Sequence, residues 1–331
     1  MNLKLIFVVI VLLLGDVLLS QDGYFSQFDK AKQLFNPSYT SFKRDFGADL
    51  LVRTQWGSSD GNSLKTFLFV DGKLKRINSY VGFDVYHDNL NDGNTQKLEL
   101  NFRYAYQKAL NRDFRLRVGA GIGYGNINHK ANSYLFGDQF DLSGNVTGDS
   151  QEDIGELSQK GFLELNIGTV FFTDDGLELG FGIRHLNFPL LSRNANGVNR
   201  VNPFLTLFLG NRYHLSGSAY RPNSKMVYLI PSITWMNQAQ FNLLQLGTDV
   251  EIEKVVLGGF FRFWPSKLDG TYGRGSSFTI KASLKTENFQ MGYAYDLILS
   301  KAVASLASHE ISIGYYLSEL PTRAVRNSKR F

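Results

Sequence analysis

The residues that could carry chemistry are few, and their spacing argues against it. Gly119-Ala-Gly121-Ile-Gly123-Tyr-Gly125 is glycine-rich, but its repeat is strictly two. A phosphate-cradling G-x-G-x-x-G loop needs a three-residue step and a helix after it, whose first amides face the phosphates. Glycines at every second position instead leave space on one wall of a strand for a neighbouring element. His87, His129, His185, His214 and His309 form no H-E-x-x-H pair, so they read as solvated or interfacial rather than as metal ligands. The acidic stretch from Asp149 to Glu156 lacks the alternating aspartates and central glycine of an EF-hand, and reads as a solvated loop. There is no cysteine, which excludes a disulfide scaffold, a thiolate metal site and a cysteine nucleophile. No local signature of a Ser–His–acid hydrolase is present. The expectation is a protein with no catalytic residue, no cofactor and no metal.

What must position side chains here is a sheet. From Lys97 to Gln107, Leu98, Leu100, Phe102, Tyr104 and Tyr106 alternate with Lys97, Glu99, Asn101, Arg103, Ala105 and Gln107. Alternation over this length is a strand with one apolar and one polar face. Leu100 is expected to face lipid and Asn101 the interior. The next segment repeats the pattern, with Phe114, Leu116, Val118, Ala120, Ile122 and Tyr124 set against Arg115, Arg117 and the glycines. The pair forms a hairpin about ten residues tall, enough for a tilted strand to cross a bilayer.

The same signal predicts fourteen strands, near 45–56, 63–71, 77–87, 96–107, 114–126, 161–173, 176–187, 203–213, 225–235, 240–251, 254–264, 276–286, 288–297 and 308–317. An even count places both ends of the barrel on one side, the periplasm for an exported barrel. The even-numbered connections are then short turns, with 214–224 the long exception. The odd ones include Asp88–Thr95, Ile127–Lys160, Pro189–Asn202, Pro265–Gly275 and Ile298–Ala307. Aromatics at strand ends (Trp56, Tyr86, Tyr106, Tyr124, Phe171, Phe172, Trp235, Trp264) suggest an interfacial girdle. Arg103, Arg115, Arg117, Arg184 and Arg262, with Glu99, Glu164, Glu178 and Asp249, fall on polar faces, where they either line a pore or pair with a plug. A soluble β-sandwich also alternates, but its strands are usually shorter and its polar face meets water. The fold class expected is all-β: a transmembrane antiparallel barrel of about fourteen strands.

The chain has 331 residues and a net charge of +5, too small and dispersed to imply nucleic acid. Residues 1–20 have the form of a signal peptide, with Lys4, the apolar run Leu5–Leu14 and Ser20 before Gln21, although Leu18 departs from the preferred cleavage pattern. Residues 21–44 carry Tyr24, Phe25, Phe28, Phe35, Tyr39 and Phe42 ahead of the first strand. So aromatic a segment should pack somewhere, most simply inside the barrel, with a short helix over Ser26–Phe35 capped by Ser26. Residues 45–317 form the barrel and 318–331 a basic tail.

The chain resembles the PorP/SprF family associated with type IX secretion in Bacteroidota. The opening Phe25-Ser26-Gln27-Phe28 followed by Asn36-Pro37-Ser38-Tyr39 is similar to that family's F-S-Q-Y…N-P-A-Y. Tyr104-Ala105-Tyr106, the Gly180–Pro189 segment with His185 and Asn187, and Leu229-Ile-Pro231-Ser232 also fit. The strongest run is the final hairpin, Gly292-Tyr293-Ala294-Tyr295-Asp296 and then Ser308-His309-Glu310-Ile311, where the family reads G-Y-S-Y-D and S-H-E-I.

The resemblance implies a non-enzymatic component supporting secretion or surface attachment of a large adhesin-like client. That client would be engaged through its C-terminal region, beside other secretion components and outer-membrane lipid. It assigns no chemistry to the motif residues. From the residues themselves, Asn36-Pro37 reads as a turn setting the segment against the wall, and Pro231 as a bulge or kink within its strand. The rival expectation is a channel for hydrophobic small molecules like the fatty-acid transporters, which share the strand number and an N-P-A motif; a general porin is a third.

Overall fold

The computed structural model describes residues 23–55, 62–90, 93–129, 159–194, 197–216, 225–268, 271–299 and 307–317. The signal segment, the basic tail, Trp56 and most of the long 127–160 connection lie outside these. A short helix α1 (Phe28–Phe35) and a 3-10 turn (Pro37–Tyr39) precede the strands β1 (Phe46–Gln55), β2 (Ser63–Leu74), β3 (Ser79–Leu90), β4 (Thr95–Ala109), β5 (Phe114–His129), β6 (Gln159–Thr173) and β7 (Glu178–Arg184). After them come β8 (Leu190–Asn194), β9 (Gly197–Arg200), β10 (Phe204–Gly210), β11 (Tyr213–Ser216), β12 (Val227–Gln238), β13 (Phe241–Ile252), β14 (Val255–Leu268), β15 (Thr271–Lys285), β16 (Phe289–Ile298) and β17 (Ser308–Leu317).

Neighbouring strands pair antiparallel, β1 with β17 and β7 with β10, and β10 closes the ring on β12. Fourteen strands form the barrel, because β11 only prolongs β10 along β12 and the β8–β9 hairpin stands apart. All fourteen predicted strands are present, several longer than expected. The predicted loop 265–275 is mostly strand, since β14 and β15 stay paired out to Leu268↔Thr271. The β8–β9 hairpin within 189–202 was not anticipated.

The faces are those of a barrel in lipid. On β4, Leu98, Leu100, Phe102, Tyr104 and Tyr106 are exposed, while Glu99, Asn101 and Arg103 are fully buried. Apolar outside and charge inside is the reverse of a soluble sandwich, and a closed barrel satisfies every spanning backbone group in hydrocarbon. The girdle needs correction at two places. Tyr86 and Phe172 point inward and are buried, whereas Tyr106 and Tyr124 are exposed as expected.

Pro231 causes no bulge. β12 stays in register with β13 through Pro231↔Thr248. The ladder instead lapses on the other side, between β10 and β11 at Asn211 and Arg212, opposite the residue that lacks an N–H. Nor does Ser26 cap the helix. Gln27 holds the N-cap position without a side-chain cap, because the Ser26 hydroxyl is engaged elsewhere.

Candidate functional site

Residues 23–44 lie against the polar face of the closed sheet and touch strands from all around it. They start toward the loop end, where Gly23 packs on Lys65 and Tyr86, and descend to the turn end, where β1 begins and β17 stops.

At the first anchor, the opening motif meets the final hairpin. The Ser26 hydroxyl donates to Asp296 Oδ2 at 2.7 Å, and the Gln27 amide donates to Glu310 Oε1 at 2.8 Å. Ser308 donates to the same Asp296 oxygen at 2.8 Å, and Ser312 to Gln27 Oε1 at 2.8 Å. Two arginines complete the cluster. Arg53 of β1 lies 2.8 Å from Asp296 and 3.5 Å from Glu310. Arg262 of β14 lies 2.9 Å from Asp296 and donates to the Ser26 carbonyl at 2.9 Å. Two guanidinium groups against two carboxylates make a neutral, hydrogen-bonded set, the condition under which buried charge is tolerated. Gly292 is part of the fit, because a Cβ there would meet Gln27 and stand 2.6 Å from the Ser312 hydroxyl.

The second anchor is a glycine floor. Asn36 Nδ2 donates to the Thr169 carbonyl at 3.1 Å and to the Phe181 carbonyl at 3.0 Å, reaching the backbone of β6 and β7. Its Oδ1 accepts from Ser38 N at 2.9 Å, which holds the Pro37 turn. The turn approaches so closely that a Cβ on Gly119 would stand 2.5 Å from the Pro37 carbonyl carbon, and one on Gly182 2.8 Å from Asn36 Cβ. Of the alternating glycines of β5, Gly119 serves the close approach to the turn, whereas Gly123 and Gly125 leave room for Asn101 and Phe162 of the neighbouring strands.

Between the anchors the helix presents Phe28 and Phe35 to Phe208 and Phe204 of β10, with ring centroids 5.8 and 5.3 Å apart. Phe25 packs on Phe67 and Tyr86. Arg103, paired with Asp84, donates to the Gln33 carbonyl, and Lys281 bridges Asp29 and Asp249 at 2.6 and 2.9 Å. Burial pushes the Lys30 ammonium down to about 8, with Asp29 and Asp49 pulling the other way.

His185, directly after β7, is neither solvated nor interfacial but fully buried. Ile183 pairs with Ile167, but Leu186 N donates to Leu165 O, so Arg184 and His185 together oppose Asn166. This bulge, with His185 at φ +55°, buries two consecutive side chains. Glu99, Glu164 and His185 come within 4.8 Å of one another. Arg184 lies 2.7 and 3.1 Å from the two carboxylates, and Lys97 lies 2.7 Å from Glu99. The acids are thus already balanced by cations, and the cluster does not suit a metal ion.

A cavity of about 660 Å³ opens at the turn end, lined by Ser41, Lys43, Tyr80, Arg117, Phe172 and Arg212 among others. A second, of about 330 Å³, lies between the helix and the wall near Lys30, Lys285 and Gln290.

The model of the family described as "Type IX secretion system membrane protein PorP/SprF" matches residues 17–315. The chain belongs to the PorP/SprF family. No curated protein matches it. Among solved structures, it is similar to the toluene transporter TodX of Pseudomonas putida, with 11% identity over 87% of this chain and 94% of that one and a TM-score of 0.46. It is also similar to a FadL homologue of Pseudomonas aeruginosa, with 10% identity over 85% and 92% of the chains and a TM-score of 0.48.

The motif residues of this PorP/SprF chain sort by face. Phe25, Ser26, Gln27, Phe28, Asn36, Pro37, Tyr39, Gly292, Asp296, Ser308 and Glu310 are buried in the two anchors and the packing between them. Tyr293, Tyr295 and His309 share the opposite face, where Tyr293 OH lies 2.7 Å from His309 Nδ1. Pro231 and Ser232 belong to neither anchor. Sequence reasoning placed Arg262 on the polar face without a partner and passed over Arg53. The signal available for Arg53 was its position in the alternation of β1, inward between Leu51 and Gln55.

Proposed function

We propose that the protein is a non-enzymatic outer-membrane component of type IX secretion that supports secretion or surface attachment of one large adhesin-like client through its C-terminal region. Family membership supports the secretion role. The observation that carries the holding role is the double anchoring of residues 23–44, which favours a lumen filled by its own segment over one that conducts. The two cavities also speak against a channel for hydrophobic molecules, because lysine, arginine and aspartate line them where such a site would be mainly apolar.

In this reading residues 1–20 are a cleaved export signal, the turn end faces the periplasm and residues 318–331 follow β17 there. The long 127–160 connection reaches outward and supplies surface for the client. The test is a surface proteome of a deletion strain beside a fatty-acid uptake assay. Loss of one large surface protein, with other type IX clients retained and uptake unchanged, is expected. An unchanged surface with reduced uptake would replace this reading with the channel.

A further inference from the structure

Five arginines are buried in the described residues: Arg53, Arg103, Arg117, Arg184 and Arg262. Four have a carboxylate beside them: Asp296 for Arg53 and Arg262, Asp84 for Arg103, and Glu99 and Glu164 for Arg184. Arg117 has none within 4.0 Å among the described residues. It donates to the Thr40 carbonyl at 2.9 Å and to Gln107 Oε1 at 2.7 Å, and lies 3.7 Å from the centroid of the Tyr80 ring. Neutral acceptors satisfy its N–H groups, and Asp71, whose charge also reaches it, lies beyond 4.0 Å and is already paired with Arg44, an arrangement that leaves room for an anion from outside.

Arg117 lines the turn-end cavity of about 660 Å³. Five further cations line it, among them Lys43, Lys73 and Arg212, against three aspartates. The acids that pair with Lys43 and Arg212, namely Glu178 and Glu251, are buried, whereas the cations themselves are half exposed. Lys73 and Arg115 are paired with Asp45 and Asp174 of the mouth itself, so the positive charge it presents is that of Lys43, Arg212 and Arg117.

We propose that this mouth is a docking site for a carboxylate-rich segment of a soluble partner protein, with Arg117 as its innermost contact. A guanidinium fork matches a carboxylate. The cavity is lined by the buried, inward-facing Tyr80 and Phe172, so its inner part lies within the ring of strands and away from their lipid face. Its volume lies in the range of specific ligand sites and exceeds what a lone anion needs.

The test uses the full-length barrel purified in zwitterionic detergent and fluorescent hexaglutamate and hexalysine peptides, followed by anisotropy at low and physiological salt. Hexaglutamate should bind, weaken with salt, and lose about tenfold in affinity in Arg117→Met and in the double variant Lys43→Glu/Lys73→Glu, in which Lys43 is exposed and Lys73 half-buried. The double variant keeps the test decisive should Arg117→Met fail to fold. The proposal is overturned by absent hexaglutamate binding, by equal binding of hexalysine, or by affinity that both variants leave unchanged. Displacement by equimolar inorganic phosphate would make it a small-anion site, and binding seen only in nanodiscs of anionic lipid would make it a lipid site; either overturns it. Binding is read on the isolated barrel, so its failure is separate from any failure of the client-holding role.

Discussion

Ser26 and Asp296, 270 residues apart in sequence, are joined by a buried hydrogen bond of 2.7 Å. Through it the segment before the first strand is tied to the next-to-last strand, at the point where Arg53 and Arg262 converge on the same carboxylate.

Removing the two partners should have unequal effects. Ser26→Ala deletes the hydroxyl that donates to Asp296 and accepts from Arg53, and should loosen the segment by about 1.5–3 kcal/mol. Asp296→Ala leaves two buried guanidinium groups short of a carboxylate and should cost about 3–5 kcal/mol. Tryptic cleavage at Lys30, Lys32 and Lys43 in the otherwise folded barrel reports the release. Equal protection in both variants would show that the cluster does not hold the segment.

Gly119 and Gly121 share a strand but should respond oppositely. A Cβ on Gly119 would collide with the Pro37 turn, whereas one on Gly121 meets nothing nearer than 3.5 Å. Gly119→Ala should cost about 1–3 kcal/mol of segment docking, as overpacking does, and Gly121→Ala almost nothing. Heat-modifiable gel mobility checks that both barrels close, and proteolysis of the segment separates them.

Leu100 faces outward and is 38% exposed, while its neighbour Asn101 is fully buried and donates to Asp84 at 3.0 Å. Leu100→Arg should lower folded yield in bilayers by about 2–4 kcal/mol, with Leu100→Phe neutral. Because Asn101 is itself packed between Asp84 and Gly123, Asn101→Arg should also fail, through crowding rather than through contact with lipid. A normal yield of Leu100→Arg would contradict the lipid-facing assignment.

Lys30 gives a pH dependence with a definite sign. Burial lowers its pKa from 10.5 to about 8, so the docked state disfavours the ammonium. The penalty is full below about pH 8 and fades as pH rises toward 10.5, which strengthens docking across that window. Lys30→Met should stabilise docking at neutral pH by ~1 kcal/mol, the residue being only half-buried, and its advantage should vanish near pH 10.5. Thermal unfolding of both forms across the window measures the difference. A constant offset would show that Lys30 is not desolvated.

Strands, faces and the glycine wall of β5 were legible in the sequence because they arise from period-two alternation, a property of each segment alone. So were the aromatic character of residues 23–44 and the two motifs that proved to meet. Their meeting was not legible. Which inward side chain faces which across a barrel depends on closure and on the shared register of all the strands, and no local pattern encodes that. His185 escaped for a related reason: a one-residue bulge reverses the face of everything beyond it, and only the pairing of Leu186 with Leu165 reveals the bulge. Tyr86 and Phe172 follow the alternation inward despite lying near strand ends, and what only the tertiary structure decided is that Phe25 and Phe42 of the preceding segment cover them there.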